Sequence, residues 1–196
     1  FAAVDSGING VSIAFNRKII RGCRAVKVRT MGFEAFESVN AKLNGEVYGD
    51  GLRKYVRDKE PAGPLELKDQ LSTDVFLLKI IPSTKPEIFE MLRNMHYKGI
   101  VIEAFGMGGM HFVRRNLLDA LEKLTKEGMS VVVCSQCLYD ASDLSFYEVG
   151  TKLLDCGVIS GRDMTTEAAV TKLMWALGQT EDPNEVRRIF NTDMAG

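Results

Sequence analysis

The sequence has few of the residues that mark several specialised classes of protein. It contains four cysteines, two histidines and one tryptophan in 196 residues. Four cysteines without a regular framework are too few for a disulfide scaffold, and they are typical of reduced thiols in a cytoplasmic protein. We therefore expect a cytoplasmic location.

Neither sign of charge predominates, and long hydrophobic runs are lacking. The chain has 25 basic and 26 acidic side chains and a formal net charge of -1. A nucleic-acid-binding domain is normally clearly basic, so we expect no nucleic-acid partner. The apolar runs, such as residues 131–134, are far shorter than the ~18 residues of a membrane-spanning helix, so we expect no membrane insertion. A chain of 196 residues is long enough to bury a stable core without metal or disulfides.

The first 45 residues are predicted to be rich in β-structure. Residues 11–15 are apolar, Asn16 and Arg17 are plausible turn residues, and residues 18–28 alternate basic and apolar side chains, as in a half-buried hairpin. A lone hairpin is marginal in water and needs a sheet to join. The chain starts at Phe1 rather than at Met, and we expect the missing strands to precede it.

Residues 46–72 are predicted to be an interdomain linker. Gly, Asp, Lys, Glu and Pro dominate much of this range, which has no sustained helix or strand period. The linker would separate the end of one domain, residues 1–45, from a second domain, residues 73–196.

The second domain is predicted to alternate strands and helices, which implies a four-stranded parallel sheet covered on both faces, an α/β fold. Strands are predicted at residues 74–81, 99–105, 130–134 and 157–159, and helices at residues 84–96, 112–124, 147–154 and 166–177 and from residue 183.

Particular residues predict where these helices begin and end. Thr84 and Glu87 have the spacing of a capping box. Gly128 and Gly178 are placed to end helices, because glycine tolerates a positive φ. Asp182 precedes Pro183, the combination expected of an N-cap and a first helical residue.

Ligands of such sheets gather beyond the carboxyl ends of the strands. Residues 106–109, 135–137 and 160–163 are predicted to lie there. The first stretch is not G-x-G-x-x-G and has no P-loop lysine, so dinucleotide binding is disfavoured. Its glycines are more typical of a tight turn that a backbone or a neighbouring subunit approaches closely.

The spacing of Cys134 and Cys137 is that of a redox or zinc motif, but neither is favoured. There is no second C-x-x-C, and His96 and His111 lack the spacing of ligands. We expect Cys134 to be a core residue, Cys137 to be the one nearer a ligand, and no metal or cofactor.

Lys27 is the one candidate for proton chemistry that the residues themselves suggest. It lies among Arg21, Arg24 and Arg29, where crowding or desolvation would lower the pKa of its ammonium. A solvated basic strand face explains the same pattern. No serine, threonine or cysteine is accompanied by a recognisable base, so the pattern alone does not indicate a reaction.

The chain nevertheless resembles a known family. The matching segments are RGCRAVKVRTMGFEAFESVN (21–40), KGIVIEAFGMGGM (98–110), SQCLY (135–139) and GVISGRDMTTEAAVTKLMWAL (157–177). Together, in this order, they resemble the L-asparaginases of the bacterial cytoplasmic type I group. In that family an N-terminal domain carries the nucleophilic threonine in T-G-G-T and a Thr-Asp pair in G-T-D-T. Neither motif occurs here, so we expect the C-terminal part of such an enzyme, inactive on its own.

The resemblance also implies roles for individual residues. Lys27 matches the lysine that works with the Thr-Asp pair in amide hydrolysis. Gly108 and Gly109 match a segment presented to a neighbouring subunit, commonly with Asn in place of Gly109. Gln136 and Cys137 match a turn near an effector site, with Tyr147 as a further candidate for these sites. Where allosteric members use an arginine, this chain has Glu103, which leaves effector control open.

Two alternatives stay open. The glutaminase-like subunit of the archaeal Glu-tRNA(Gln) amidotransferase shares S-Q-C-L-Y and K-L-M-W, although A-F-E-S-V-N, D-M-T-T-E-A-A and the near-neutral charge favour the free asparaginase. The domain could instead be an oligomerisation or effector-binding module. The asparaginase resemblance implies L-asparagine as substrate or effector, no cofactor, and self-association to a dimer or tetramer.

Overall fold

The computed structural model describes residues 7–56, 63–64, 66–111, 116–146 and 148–195. The chain forms two compact units, Phe1–Leu67 and Lys68–Met194. The first contains antiparallel strands, and the second contains a parallel sheet flanked by helices. The predicted α/β fold class is therefore confirmed. Among the described residues, no helix is both long enough and apolar enough to cross a lipid bilayer.

The first unit is built from short antiparallel strands. They are β1 Ser12–Phe15, β2 Lys18–Arg21, β3 Ala25–Lys27, β4 Phe36–Ser38, β5 Gly45–Tyr48 and β6 Gly51–Lys54. Four of them form a sheet in the order β1-β2-β5-β6, and β3 pairs with β4 separately. Ile19, Ile20 and Val39 are buried here.

The hairpin predicted at the start of the chain is confirmed, but its second strand is shorter than expected. Asn16 and Arg17 have φ values of 45° and 63°, as primed hairpin turns require. A 3₁₀ turn at Gly22–Arg24 then interrupts the predicted strand of residues 18–28. The N–H of Gly22 donates to the Val11 carbonyl at 2.8 Å, and the chain turns away there, so β3 joins a different sheet.

Strand β6 and most of β5 lie within the range predicted as linker. The description of this range as irregular was therefore wrong for residues 46–54. The two strands pair antiparallel and extend the first sheet. The hydroxyls of Tyr55 and Tyr48 both donate to Oε2 of Glu46, at 2.6 and 3.0 Å. Strands of four residues are too short for a pattern of polar and apolar residues to be recognised. The domain boundaries given above remain a prediction.

The second unit alternates strands and helices as predicted. Its elements are β7 Val75–Lys79, α1 Glu87–Asn94, β8 Gly99–Ala104, α2 Leu117–Lys126, β9 Ser130–Ser135, α3 Glu148–Asp155, β10 Ile159–Ser160, α4 Thr166–Gln179 and α5 Pro183–Asn191. The strands are parallel and lie in the order β10-β9-β8-β7.

Helices cover both faces of this sheet. Ile100 and Ile102 on β8 face a core that includes residues of α1, α2 and α3. Val101, between them, faces a second core that includes residues of α4 and α5. Because β8 is buried on both faces, its sequence is a continuous apolar run instead of an alternation.

Two of the predicted helix boundaries are confirmed. Asp182 caps α5, since its carboxylate accepts from the N–H of Asn184 at 3.0 Å and Pro183 is the first helical residue. Gly128 follows α2 with a φ of 93°. The predicted start of that helix at Phe112 and Val113 lies outside the described residues.

The capping box of Thr84 and Glu87 is wrong. Helix α1 begins at Glu87 after Pro86, and no side chain caps it. The Thr84 hydroxyl instead accepts a hydrogen bond from the Ile81 N–H at 2.8 Å. The hydroxyl thus stabilises the turn after β7 and not the helix that follows.

Gly178 does not end α4, which continues to Gln179. It allows a preceding segment to lie against the helix: a Cβ on Gly178 would overlap the carbonyl of Gln70. Hydrogen bonds on either side hold the contact, from Trp175 Nε1 to the Lys68 carbonyl and from Gln179 Nε2 to the Gln70 carbonyl, each 2.8 Å. This glycine is needed for a close approach.

Candidate functional site

Two loops lie side by side at the carboxyl edge of the parallel sheet. The glycine loop, residues 106–109, follows β8, and the cysteine turn, residues 135–137, includes the end of β9 and the two residues after it. Ala104 and Ser135 are partners in the last position of the β8–β9 pairing. Four of the predicted site residues, Gly108, Gly109, Gln136 and Cys137, are therefore on neighbouring loops.

The glycine loop is a small closed hairpin. The N–H of Gly109 donates to the Phe105 carbonyl at 2.7 Å, and the N–H of Phe105 donates back to Gly109 at 2.9 Å. Gly108 has a φ of 115°, and a Cβ there would overlap the buried side chain of Leu144. A residue with a side chain would therefore be both strained and crowded at that position.

Gly109 has a different role in the loop. It does not have a positive φ, and a Cβ there would lie 3.3 Å from the Phe105 carbonyl oxygen. That distance is tight, but a small shift relieves it, so the loop does not strictly require glycine at position 109.

Gln136 ties three strand ends together. Its backbone N–H donates to the Ala104 carbonyl at 2.9 Å, which continues the β8–β9 pairing by one residue. Its side-chain Nε2 donates to the Ile80 carbonyl at 2.6 Å and to the Glu103 carbonyl at 3.0 Å. The amide thus spans β8 to the end of β7. These contacts make Gln136 part of the framework of the site.

Ser135 connects the two loops, and the sequence did not single it out. Its hydroxyl donates to the Gly106 carbonyl at 2.6 Å and accepts from the Cys137 N–H at 2.9 Å. A serine followed by a turn is typical of a hydroxyl that bonds the backbone two residues on. The bond from the Cys137 N–H could therefore have been predicted from the sequence, but the bond to Gly106 on the other loop could not.

Glu103 is engaged by neighbouring side chains. Its Oε1 accepts from the Thr166 hydroxyl at 2.7 Å, and Oε2 lies 3.8 Å from Nζ of Lys79. The carboxylate is on the face of β8 that α4 covers, and it lies beside Cys134, its partner in the pairing with β9. The sequence singled out Glu103 because it stands where allosteric members of the resembled family use an arginine, but it did not predict the side chains that Glu103 contacts.

The two cysteines of the C-x-x-C pair have opposite environments. Cys134 is 1% exposed, as expected of a core residue. Burial, and to a smaller extent the Glu103 carboxylate, raise the pKa of Cys134 to about 12, so its thiol is protonated at neutral pH. Cys137 is exposed on the cysteine turn. Within the described ranges, no three His, Cys, Asp or Glu side chains are grouped as metal ligands.

Lys27 lies in the first unit, at the end of β3. It is exposed, so the desolvation considered from the sequence does not occur in this unit. Its Nζ lies 6.0 Å from the ring centroid of Phe36, the residue paired with it on β4. Lys27 is thus held at the end of a short hairpin with its ammonium accessible. Tyr147, the remaining candidate, lies outside the described residues.

Comparisons with known proteins assign the chain to a family. Residues 74–190 match the model of the Glutaminase/Asparaginase C-terminal domain, and residues 1–59 match that of the Asparaginase N-terminal domain. The chain belongs to the glutaminase/asparaginase family. The two matches fall on opposite sides of the division between the two units of the structure.

Curated members of the family have similar sequences. The L-asparaginase of Thermococcus kodakarensis is 39% identical over 192 residues, which are 97% of this chain and 57% of that protein. A Glutamyl-tRNA(Gln) amidotransferase subunit of the same organism is 38% identical over 179 residues, 90% of this chain and 40% of that protein. The chain therefore spans only about half the length of these relatives.

Solved structures of family members have the same fold. The thermostable L-asparaginase from Thermococcus kodakarensis matches with a TM-score of 0.94 at 36% identity, over 100% of this chain and 59% of that chain. L-asparaginase I from Vibrio cholerae matches with a TM-score of 0.87 at 29% identity, over 96% of this chain and 57% of that one.

Proposed function

We propose that this chain is the C-terminal part of an L-asparaginase of the bacterial cytoplasmic type I group, which hydrolyses L-asparagine to L-aspartate and ammonia without a cofactor. The observation that carries the proposal is the continuity of the match. The Thermococcus L-asparaginase aligns with 97% of the chain, including the hairpin with Lys27 and the loops at the sheet edge. A protein related only to the second unit would not align with the hairpin that contains Lys27.

Lys27 is proposed to act in proton transfer. Its ammonium is accessible at the end of β3, and within the described residues no carboxylate lies within ion-pair distance of it. The family's Thr-Asp pair would supply a carboxylate and a hydroxyl beside it. An ammonium in that setting stabilises the conjugate base of the attacking hydroxyl and passes a proton toward the leaving ammonia.

The chain alone is proposed to be inactive, because the family's threonine motifs do not occur in its sequence. The measurement is ammonia release from L-asparagine by the purified chain against buffer. Release above the buffer rate that rises with protein concentration would reject this statement.

The role of Lys27 is tested in a longer protein that contains this chain and the family's N-terminal domain. Lys27→Met is expected to lower kcat about 100- to 10,000-fold, the range for loss of a group in acid–base catalysis. Lys42→Met, which removes another exposed lysine of the same unit, is the control and should leave kcat unchanged. Near-normal turnover by Lys27→Met would reject the role.

The amidotransferase subunit is the alternative, supported by an identity of 38% against 39% for the asparaginase. The longer protein distinguishes the two by its turnover of L-asparagine and L-glutamine, with and without tRNA-binding partner subunits. Turnover of free L-asparagine by the protein alone supports the asparaginase. Dependence on a partner subunit supports the alternative.

An effector role of the sheet edge is a second part of the proposal. Gln136 and Cys137 would contact L-asparagine as an effector. Gly108 and Gly109 would contact a neighbouring subunit. Tyr147 is a further candidate for either of these sites. Calorimetric titration of the chain with L-asparagine tests the effector site, and light scattering during gel filtration tests for a dimer or tetramer. The absence of saturable heat would reject the effector site in this chain, and a monomer would reject self-association of the chain.

A cytoplasmic location is also proposed, because four cysteines without a regular disulfide framework are typical of reduced thiols in a cytoplasmic protein.

A further inference from the structure

Serine side chains at the ends of two neighbouring strands make the same pair of hydrogen bonds. At the end of β9, the Ser135 hydroxyl donates to the Gly106 carbonyl and accepts from the Cys137 N–H. At the end of β10, the Ser160 hydroxyl donates to the Ser142 carbonyl at 2.7 Å and accepts from the Arg162 N–H at 3.1 Å. Each serine joins the turn that follows its own strand to the loop of the preceding strand.

The Ser135 contact joins two segments that are otherwise separate loops. The glycine loop is closed on itself through Phe105, so the hydroxyl contact at Gly106 fixes its orientation toward the cysteine turn. On the other side, Gln136 fixes the turn to the ends of β7 and β8. A hydroxyl that donates and accepts at once polarises both bonds, so a change at the Cys137 amide alters the bond to Gly106.

We propose that Ser135 is a positioning residue that couples the cysteine turn to the glycine loop, so that a ligand held at one of these loops changes the conformation or stability of the other. The part that concerns a ligand rests on the proposed function. The coupling itself rests only on the hydrogen bonds of Ser135 and the closed form of the loop.

The coupling is measured by amide hydrogen exchange in the purified chain, followed by NMR. Ser135→Ala is expected to raise the exchange rates of the Gly108 and Gly109 amides about tenfold relative to core amides of β9, the effect of losing about one hydrogen bond. Ser135→Thr keeps a hydroxyl and should stay within about threefold of the unchanged chain. Ser160→Ala, which removes the equivalent hydroxyl one strand away, should leave both glycine amides unchanged.

A chemical probe on the cysteine turn provides a readout that loss of stability alone does not move. In a chain with Cys23→Ser and Cys156→Ser, iodoacetamide alkylates the exposed Cys137. Alkylation is expected to shift the amide signals of Gly108 and Gly109 when residue 135 is serine or threonine, and to leave them unshifted in Ser135→Ala. If Ser135→Ala does not fold, Ser135→Val, which also lacks the hydroxyl, takes its place.

Three results would overturn the coupling through Ser135. They are equal exchange rates of the glycine amides in Ser135→Ala and the unchanged chain, no shift of these amides when Cys137 is alkylated, or an equal shift on alkylation when the hydroxyl at position 135 is absent. The ligand part is tested separately by titrating L-asparagine into the unchanged chain and following the same amides. If alkylation shifts them and L-asparagine does not, the coupling stands and the effector part of the proposed function fails for this chain.

Discussion

The hydroxyl of Thr166 donates a hydrogen bond of 2.7 Å to the carboxylate of Glu103, joining the first residue of α4 to the end of β8. A carboxylate at the start of a helix is also near the positive end of the helix dipole. The carboxylate is therefore held by α4 on one side and by Lys79 of β7 on the other. These contacts predict that Glu103 contributes to the stability of the second unit.

Replacement of Thr166 by valine should destabilise the second unit. The change keeps the shape of the side chain and removes the donor, which leaves a half-buried carboxylate oxygen without that bond. The expected loss is about 1–3 kcal/mol in the free energy of unfolding, measured in urea. Thr171→Val is the matched control on the same helix, because the Thr171 hydroxyl is exposed and bonds only the helix backbone. An equal loss in both variants would contradict the importance of the Glu103 contact.

Gly108→Ala should destabilise the chain by about 2–4 kcal/mol, because it combines an unfavourable backbone conformation with overlap against Leu144. Gly106→Asn is the control in the same loop. Gly106 has a φ of 50° and open space within 4 Å of the position that a Cβ would take, and asparagine tolerates that conformation. Urea unfolding of both variants checks the prediction, and comparable stability of the two would show that the glycine loop rearranges easily.

Gly178→Ala should cost about 1–3 kcal/mol through crowding against the backbone of Gln70, even though alanine is the better helix former. Gly49→Ala, at a position with open space around it, should change the free energy of unfolding by less than about 1 kcal/mol. If Gly178→Ala were instead stabilising, the segment that includes Gln70 would not be held against α4 as the structure shows.

The stability of the second unit should fall at high pH because of Cys134. Its thiol has a pKa of about 12 in the folded chain and about 8.5 when unfolded. Because the pKa of the thiol is higher in the folded chain than in the unfolded chain, its contribution to the free energy of unfolding is complete below about pH 8.5. This contribution decreases as the pH rises toward 12.

The measurement compares the unchanged chain with Cys134→Ala between pH 7 and pH 10. The difference in the free energy of unfolding should narrow by about 1.4 kcal/mol per pH unit above pH 8.5. Val132→Ala, a truncation facing the same core without a titratable group, should show a constant difference. A Cys134→Ala difference that stays constant as well would mean that the thiol is not protected from ionisation.

The fold of the second unit was predictable because its determinants are local. The apolar runs of β8 and β9, the glycine that follows α2 and the N-cap of α5 at Asp182 each depend on a few neighbouring residues. The parallel arrangement then places the glycine loop and the cysteine turn at one edge, which is why those candidates were found together.

The helix boundaries that were predicted wrongly, and two contacts that were not predicted, depend on partners that are distant in the sequence or that compete locally. Gly178 has the position of a helix stop, but its neighbour in space is Gln70. Thr84 has the spacing of a capping box, but Ile81 competes for its hydroxyl. The contacts of Ser135 with Gly106 and of Thr166 with Glu103 depend on side-chain rotamers after folding, which no sequence pattern specifies.

The strands of the parallel sheet are added in chain order, from β7 at one edge to β10 at the other. During synthesis each strand and its helix can therefore join an edge that already exists, as N-terminal segments emerge first. The first three helices cover only one face, and the other, with Val101, Val132 and Ile159, is covered only by α4 and α5 among the described residues. A nascent chain halted before α4 would expose this apolar face, so we expect ribosome-bound intermediates of that length to recruit chaperones until the last two helices are made.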